Sequence, residues 1–379
     1  MKILHTSDLH IGKRVNEYSL LDEQKFILNQ IVEMAKREQP DAVILAGDIY
    51  DKSIPSAEAV ALFDEFLAQL AQLHKAIFII SGNHDSAERI AFASRILEAS
   101  GVYLSPVYNG SIQPVVLNDG LTEVAFHLLP YIKPSLVQHF AEEGVELKSY
   151  DEAMRYAISK MDIDKKRRNV LITHQFITNA ERTESEDIMV GGLDNIDASA
   201  FDDFDYVALG HLHRPQHCGR ETVRYSGSPL KYSFSEVNDK KSVSVIEING
   251  TEPVVVSTLP LTPLHDWHDI RGTYDQLTAR QYYEGTDLQE AYVRITLTDE
   301  EDIPDGMRKL KTIYHHLAEL RYDNKRTRAG ETLIGKPMNV DKMNPEELFT
   351  ELFEKQNAQG LSDEQSTYLN QLINEIFNH

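Results

Sequence analysis

Five short apolar runs in this chain stop at residues able to bind a metal ion, and that recurrence restricts the fold more than any other feature. The clearest run is Ala42-Val43-Ile44-Leu45, which ends at Gly47-Asp48. Four buried-looking residues followed by Gly-Asp read as a strand that stops abruptly and presents a carboxylate at its C-terminal tip. Open α/β sheets place their ligands at that tip. Four other segments end apolar runs in the same way: Asp8-Leu9-His10, Gly82-Asn83-His84-Asp85, Thr173-His174 and Gly210-His211-Leu212-His213. Taken singly, Gly-Asp is an ordinary turn, Asp-x-His a helix cap, and a histidine a satisfied core residue. Together, at successive strand ends, they point to one site.

The text between these ends is helical. Leu21, Leu28, Ile31, Val32 and Ala35 recur at helical spacing before Pro40 stops the helix. A second helix is predicted from Ser56 through Val60, Leu62, Phe63, Phe66, Leu67 and Leu70, and a third over 86–98. Strands are predicted at 76–80, near 112–117 and 123–129, at 169–172 and at 206–209, with helices near 134–142 and 150–161. The opening strand, helix and strand make a parallel pair with a right-handed crossover. Residues 221–258 read instead as strand and turn, with Asn249-Gly250 a strong hairpin signal. Half parallel and half antiparallel sheet implies two sheets packed face to face and covered by helices.

The pattern shifts at Leu261-Thr262-Pro263. A strand near 291–297 and a helix near 304–320 suffice for a small α+β domain, in which Trp267 reads as packing. The tail reads as two amphipathic helices. One starts at Asn344-Pro345-Glu346 and carries Leu348, Leu352 and Phe353; the other is capped by Ser362-Asp363-Glu364-Gln365 and carries Leu369, Leu372, Ile373 and Ile376. So short a pair must cover its apolar faces with the protein body or a partner. The expected divisions are 1–260, 261–337 and 341–379.

With 38 basic and 60 acidic residues, the formal charge is −22, which argues against nucleic-acid binding by overall charge. It does not exclude a nuclease, because carboxylates clustered on metal ions become locally cationic. Lys165-Lys166-Arg167-Arg168 and the scattered Arg308, Lys309, Lys311, Arg321, Lys325, Arg326 and Arg328 could line a path for DNA, although either run alone reads as solvated surface. The start lacks the h-region of a signal peptide, no apolar run is long enough for a bilayer, and Cys218 has no second cysteine to pair with. These features lead us to expect a cytoplasmic protein.

Carboxylate, amide oxygen and imidazole suit Mn²⁺, Fe²⁺ or Zn²⁺, and the absence of thiolate ligands removes structural zinc. One partition gives a first ion Asp8, His10, Asp48 and His213, and a second ion Asp48, Asn83, His174 and His211, with Asp48 shared. Ions so bridged would acidify a water for attack on phosphorus. His84 is surplus to the count and could donate a hydrogen bond or proton to a developing or leaving oxygen, with Asp85 or Asp51 as its support.

Asp8-x-His10, Gly47-Asp48-x-x-Asp51, Gly82-Asn83-His84-Asp85, His174 and Gly210-His211-x-His213 resemble the full signature of the calcineurin-like metallophosphoesterases. That resemblance implies a four-layer α/β/β/α double-sheet sandwich with a dinuclear site, usually Mn²⁺ in the nuclease branch. Within the superfamily, Thr6-Ser7-Asp8-Leu9-His10-Ile11-Gly12-Lys13 and the linked second domain resemble the SbcD nuclease subunits.

The resemblance implies that His84 is catalytic, that 261–337 caps the site and contacts DNA, and that 341–379 docks on the SMC-like ATPase SbcC. It also implies a homodimer through helices 56–72 and 86–98, and action as a double-strand exonuclease and single-strand or hairpin endonuclease in DNA repair and recombination. Two other readings compete. One is a phosphatase or phosphodiesterase for a small molecule or phosphoprotein, and the DLHIGK text and added domain speak against it. The other is a catalytically dead scaffold, whose mark would be a missing ligand; none is missing.

Overall fold

The computed structural model describes residues 1–186, 195–331, 346, 348–350, 352–353 and 360–377. The chain divides into two compact units, Met1–Leu264 and His265–His379.

In the first unit, two six-stranded sheets carry the fold. The first runs, in spatial order, Val255–Pro260, Ser242–Glu247, Lys2–Thr6, Ala42–Ala46, Ala76–Ile80 and Val102–Leu104. Its last four strands are parallel, with Ile3 opposite Ala42 and Ala42 opposite Ala76. The second runs Gln216–Cys218, Arg220–Tyr225, Tyr206–Gly210, Arg168–His174, Glu123–Leu128 and Val115–Asn118, with the four central strands parallel.

Period-two alternation explains why two sheets stack. Ile3, Ala42, Ile44, Phe78 and Ile80 of the first form one buried cluster with Val124, Phe126, Val170, Ile172, Tyr206 and Ala208 of the second. Phe78 and Phe126 stack at 4.3 Å between centroids. The alternate residues Leu171, Val207, Val223 and Tyr225 join Met154 and Ala157 of helix Tyr150–Ser159 in a second cluster. Val43, Leu45, Ile77 and Ile79 of the first sheet are buried likewise. The crossover helices Leu21–Glu38 and Ala57–Ala71 bury the stripes Ile27, Ile31, Val32 and Ala59, Phe66, Leu70. This is the expected helix, sheet, sheet, helix layering.

Local chemistry sets the helix limits. Helix Leu21–Glu38 has Asp22 and Glu23 in its first turn and Lys36 and Arg37 in its last, matched to its dipole, and ends at a left-handed Gln39 before Pro40. Ser56 caps the next helix by accepting from Ala59 N at 3.2 Å. The helix expected over 86–98 is broken into Ala87–Ile90 and Ser94–Leu97, because Ala93 takes a left-handed φ of 60°.

The second unit holds a parallel three-stranded sheet, Trp267–Gly272, Tyr292–Leu297 and His316–Tyr322. Here the helix expected over 304–320 is corrected. Only Gly306–Leu310 is helical, and His316–Tyr322 pairs with Tyr292–Leu297 with Leu317 fully buried, so long-range pairing overrides a helix-tolerant sequence. Trp267 is buried and stacked on Tyr292, as a packing residue would be. Helix Asp363–Phe377 matches the second expected tail helix. Most of the first tail helix and the proposed limit at 337 lie outside the described residues.

Candidate metal centre

All five ligand-bearing segments lie at or just beyond the C-terminal ends of parallel strands, Lys2–Thr6, Ala42–Ala46, Ala76–Ile80, Arg168–His174 and Tyr206–Gly210. Their loops are stitched to one another. Asp8 N donates to Gly47 O at 3.0 Å, His10 N to Asp48 O at 2.9 Å, and Ile11 N to Ile49 O at 2.9 Å. His211 N donates to Asp8 Oδ1 at 3.0 Å and His84 N to Asp48 Oδ1 at 2.9 Å. The turn that each strand must make shows in the backbone: Asp8, His10, Asp48 and His211 all have positive φ, of 54°, 44°, 50° and 106°. Such strain in non-glycine residues persists only where the surroundings hold it, and it clusters at functional sites. Gly210 allows the sheets to close, since a Cβ there would lie 1.9 Å from Ala46 O.

The donor atoms converge. Among the described residues, Asp8-His10-His213, His10-Asp48-His84 and Asp8-Asp48-His174 each hold ligand atoms within 4.8 Å of one another. Asn83 Oδ1 lies 3.0 Å from both His174 Nε2 and His211 Nδ1. The seven residues expected as ligands are therefore brought together around Asp48, while the groupings cut across the expected partition: Asp8 joins both His213 and His174, and His84 joins His10 and Asp48.

Their chemistry fits a pair of cations. His174 Nδ1 donates to Ala46 O at 2.9 Å, which leaves Nε2 facing two oxygens, Asn83 Oδ1 at 3.0 Å and Asp48 Oδ2 at 3.3 Å. A neutral imidazole there opposes lone pair to lone pair, and a proton or a metal ion relieves it. Burial works against a proton on His174, yet the Asp48 carboxylate raises its pKa to about 9. His10 Nε2 and His213 Nε2 likewise face each other at 3.0 Å. Burial lowers His10 to about 4 and holds His211 well below the ordinary imidazole value. Burial pushes the Asp8 carboxyl up; at Asp48 the same push is outweighed chiefly by the charge and hydrogen bond of His174, which hold it ionised.

His84 stands at the edge of this set, its Nε2 4.0 Å from Asp48 Oδ2. Its Nδ1 lies 3.1 Å from the carbonyl of Asp51. The Asp51 carboxylate instead pairs with Lys13 Nζ at 2.9 Å and approaches His10 Nδ1 at 3.6 Å. Asp85 is corrected as a support for His84. Its carboxylate accepts backbone N–H groups from Ile49 at 3.0 Å, Tyr50 at 3.0 Å and Gly82 at 2.9 Å, which ties two ligand loops together.

Sequence reasoning missed an outer set. Ser7 donates to Asp8 Oδ2 and touches Ser226 at 2.9 Å; Ser185, Glu186, Glu236 and Lys241 surround His213; Tyr131 stacks at 21° on His211. Only Ser7 had a signal, its place beside Asp8. The basic run 165–168 is remote from the centre: Arg168 begins the strand that His174 ends, and Lys165, Arg167 and Arg168 pair with Asp203, Asp164 and Asp205.

Fold and donor set define a metallophosphoesterase. Residues 1–215 match the calcineurin-like phosphoesterase family, and the chain belongs to it. Residues 261–357 match a second family, described as the type 5 capsule protein repressor C-terminal domain. Over 324 residues, 84% of this chain and 85% of the other, it is 36% identical to the SbcD subunit of the SbcCD nuclease of Staphylococcus epidermidis. The protein of the same name from Staphylococcus saprophyticus is 29% identical over 377 residues, 98% of each chain. A solved dimetal phosphatase from Danio rerio aligns with a TM-score of 0.37 and 11% identity, covering 68% of this chain and 98% of that one. Among the described residues, no helix is long and apolar enough to cross a membrane.

Proposed function

We propose that this chain is the nuclease subunit of an SbcCD-type complex. It would hydrolyse DNA phosphodiester bonds as a double-strand exonuclease and a single-strand or hairpin endonuclease with two divalent ions, Mn²⁺ by preference. The observation that carries the reading is the pairing of this donor set with alignment across both units to a relative named as an SbcCD nuclease subunit.

Asp8, His10, Asp48 and His213 would hold one ion and Asp48, Asn83, His174 and His211 the other. Bound ions supply Lewis acidity toward phosphoryl oxygens and a nucleophile available at neutral pH. The protein's own contribution is placement: Asp85 fixes the loops that carry Asp48 and Asn83, and Asp51 holds His84 by its carbonyl. With Nδ1–H spent on that carbonyl, His84 Nε2 is the nitrogen that exchanges a proton with the leaving oxygen.

For partners, we propose that the tail, including helix Asp363–Phe377, binds the SbcC-type ATPase, and that the second unit contacts DNA. A homodimer would form through the exposed Ile54 and Val60, before and on helix Ala57–Ala71, and Phe92 and Ile96, between and on the short helices Ala87–Ile90 and Ser94–Leu97. The lone, buried Cys218 agrees with a reducing cytoplasm.

The deciding experiment compares wild type with Asp48→Ala on end-labelled duplex and hairpin DNA, with EDTA, Mg²⁺ or Mn²⁺. Mn²⁺-dependent degradation that disappears in the variant supports the reading. Hydrolysis of bis-p-nitrophenyl phosphate with DNA left intact, even with the ATPase partner present, would move the protein to small-molecule substrates.

A further inference from the structure

His213 is fixed at three points by groups outside the ligand set. Its backbone N–H donates to Glu186 Oε1 at 2.7 Å, its carbonyl accepts from Lys241 Nζ at 2.7 Å, and its Nδ1 lies 2.7 Å from Ser185 Oγ. Ser185 Oγ lies in turn 2.7 Å from Glu236 Oε1. Glu236 is fully buried; its other oxygen pairs with Lys241 Nζ at 2.6 Å, and Oε1 also takes Ser233 Oγ at 2.9 Å and Tyr232 N at 3.2 Å.

The direction of the chain of hydrogen bonds follows from what each group can do. An ionised carboxylate only accepts. Ser185 therefore gives its one proton to Glu236 and offers His213 a lone pair. A neutral imidazole must then carry its proton on Nδ1, which leaves Nε2 as the bare nitrogen facing His10 across 3.0 Å. Stability does not account for such an arrangement. Buried ion pairs are replaced by packed apolar side chains without loss of stability in many proteins. What the Glu236–Lys241 pair achieves here ends on His213, through its carbonyl and, by way of Ser185, its ring.

We propose that Ser185 is a positioning residue that relays the buried Glu236–Lys241 pair to His213, fixing the Nδ1–H tautomer and strengthening the hold of the His213 side of the centre on a divalent ion. The inference rests on the metal-centre reading above. Outer partners of ligating histidines are worth roughly 10–100-fold in metal affinity.

The test uses the full-length protein freed of metal. Wild type, Ser185→Ala, Ser185→Thr and Ser185→Cys are titrated with MnCl₂ by calorimetry, each with a thermal melt. Ser185→Ala is expected to weaken one of two binding events by roughly 10-fold or more and leave the other, while Ser185→Thr, which keeps the hydroxyl, restores it. Ser185→Cys, close in volume but a weak hydrogen-bonding group, should behave as Ser185→Ala and stands in if the latter fails to fold.

A second readout needs no metal. In protein labelled with ¹⁵N-histidine, the His213 signals, assigned by their loss in His213→Asn, should report the Nδ1–H tautomer in wild type and a mixture in Ser185→Ala. Two Mn²⁺ bound with unchanged affinity by Ser185→Ala would overturn the relay and spare the metal centre. Wild type that binds no Mn²⁺ would overturn the metal centre, and an unchanged His213 spectrum in Ser185→Ala would then overturn the relay as well.

Discussion

Gly82 and Asp48 share a space that admits no side chain on Gly82: a Cβ there would lie 2.1 Å from Asp48 Oδ1 and 2.5 Å from its backbone nitrogen. Real carbon atoms do not come so near, so Gly82→Ala must displace either the loop bearing Asn83 and His84 or the Asp48 carboxylate, the proposed bridging ligand. A misplacement of about 1 Å is worth about 100-fold in rate. Gly82→Ala is therefore expected to melt as a folded protein and to hydrolyse bis-p-nitrophenyl phosphate about 100-fold more slowly with Mn²⁺. Wild-type turnover in that variant would show that the loop yields without moving Asp48.

Asp85 holds three backbone N–H groups in one partly shielded place. Asp85→Ala leaves all three without their acceptor, and each buried orphan costs about 1–3 kcal/mol. Asp85→Asn keeps an oxygen for some of them but turns an N–H group toward the rest. Urea unfolding should thus rank wild type above Asp85→Asn above Asp85→Ala, with the alanine variant lower by several kcal/mol. Equal midpoints for all three would mean that the two loops need no tie.

The convergence of the candidate ligands was legible in the sequence because chemistry and secondary structure spoke together. Ala42-Val43-Ile44-Leu45 reads as a buried strand and Gly47-Asp48 as its abrupt stop, and four further runs ending in the same way turned that local reading into the placement of Asp48 at a sheet edge. Elements whose form is decided at long range were not legible. Residues 316–322 suit a helix until Tyr292–Leu297 lies beside them, and nothing local signals that Ala93 adopts a positive φ inside an otherwise helical stretch. The same holds for the outer residues of the centre. Ser185 and Glu236 lie 51 residues apart and meet at His213 only in the folded chain. The remoteness of the run 165–168, by contrast, follows from sequence order, since it precedes the strand whose far end carries His174.

His5 gives the protein an acid-sensitive element away from the ligands. It is fully buried with Nδ1 2.9 Å from the Tyr206 hydroxyl, and burial, aided by the Arg224 charge, lowers its pKa to about 3. In the unfolded chain the imidazole titrates at its ordinary value, 6.5. Between these values the unfolded state binds the extra proton, so stability falls as pH drops from 6.5 toward 3, by about 2 kcal/mol at pH 5. Urea unfolding at pH 7 and pH 5 should show that loss in wild type. In His5→Leu, whatever its absolute stability, the difference between the two pH values should shrink by about 2 kcal/mol. An identical difference in both would mean that His5 takes up its proton while folded.

His84 occupies a position where both ligand and proton donor are open to it. It belongs to a group with His10 and Asp48 whose donor atoms lie within 4.8 Å, yet its ring is anchored by Nδ1 on the Asp51 carbonyl at 3.1 Å, and the ligand assignment proposed above does not use it. If it moves protons rather than holding metal, His84→Gln keeps both Mn²⁺ ions and loses turnover by about 10²–10⁴-fold. A leaving group that needs no protonation should separate the roles further. On p-nitrophenyl esters, whose phenolate departs unaided, the loss should be far smaller than on DNA, where an alkoxide must leave. Calorimetry that finds one Mn²⁺ in His84→Gln, with equal losses on both substrates, would place His84 among the ligands.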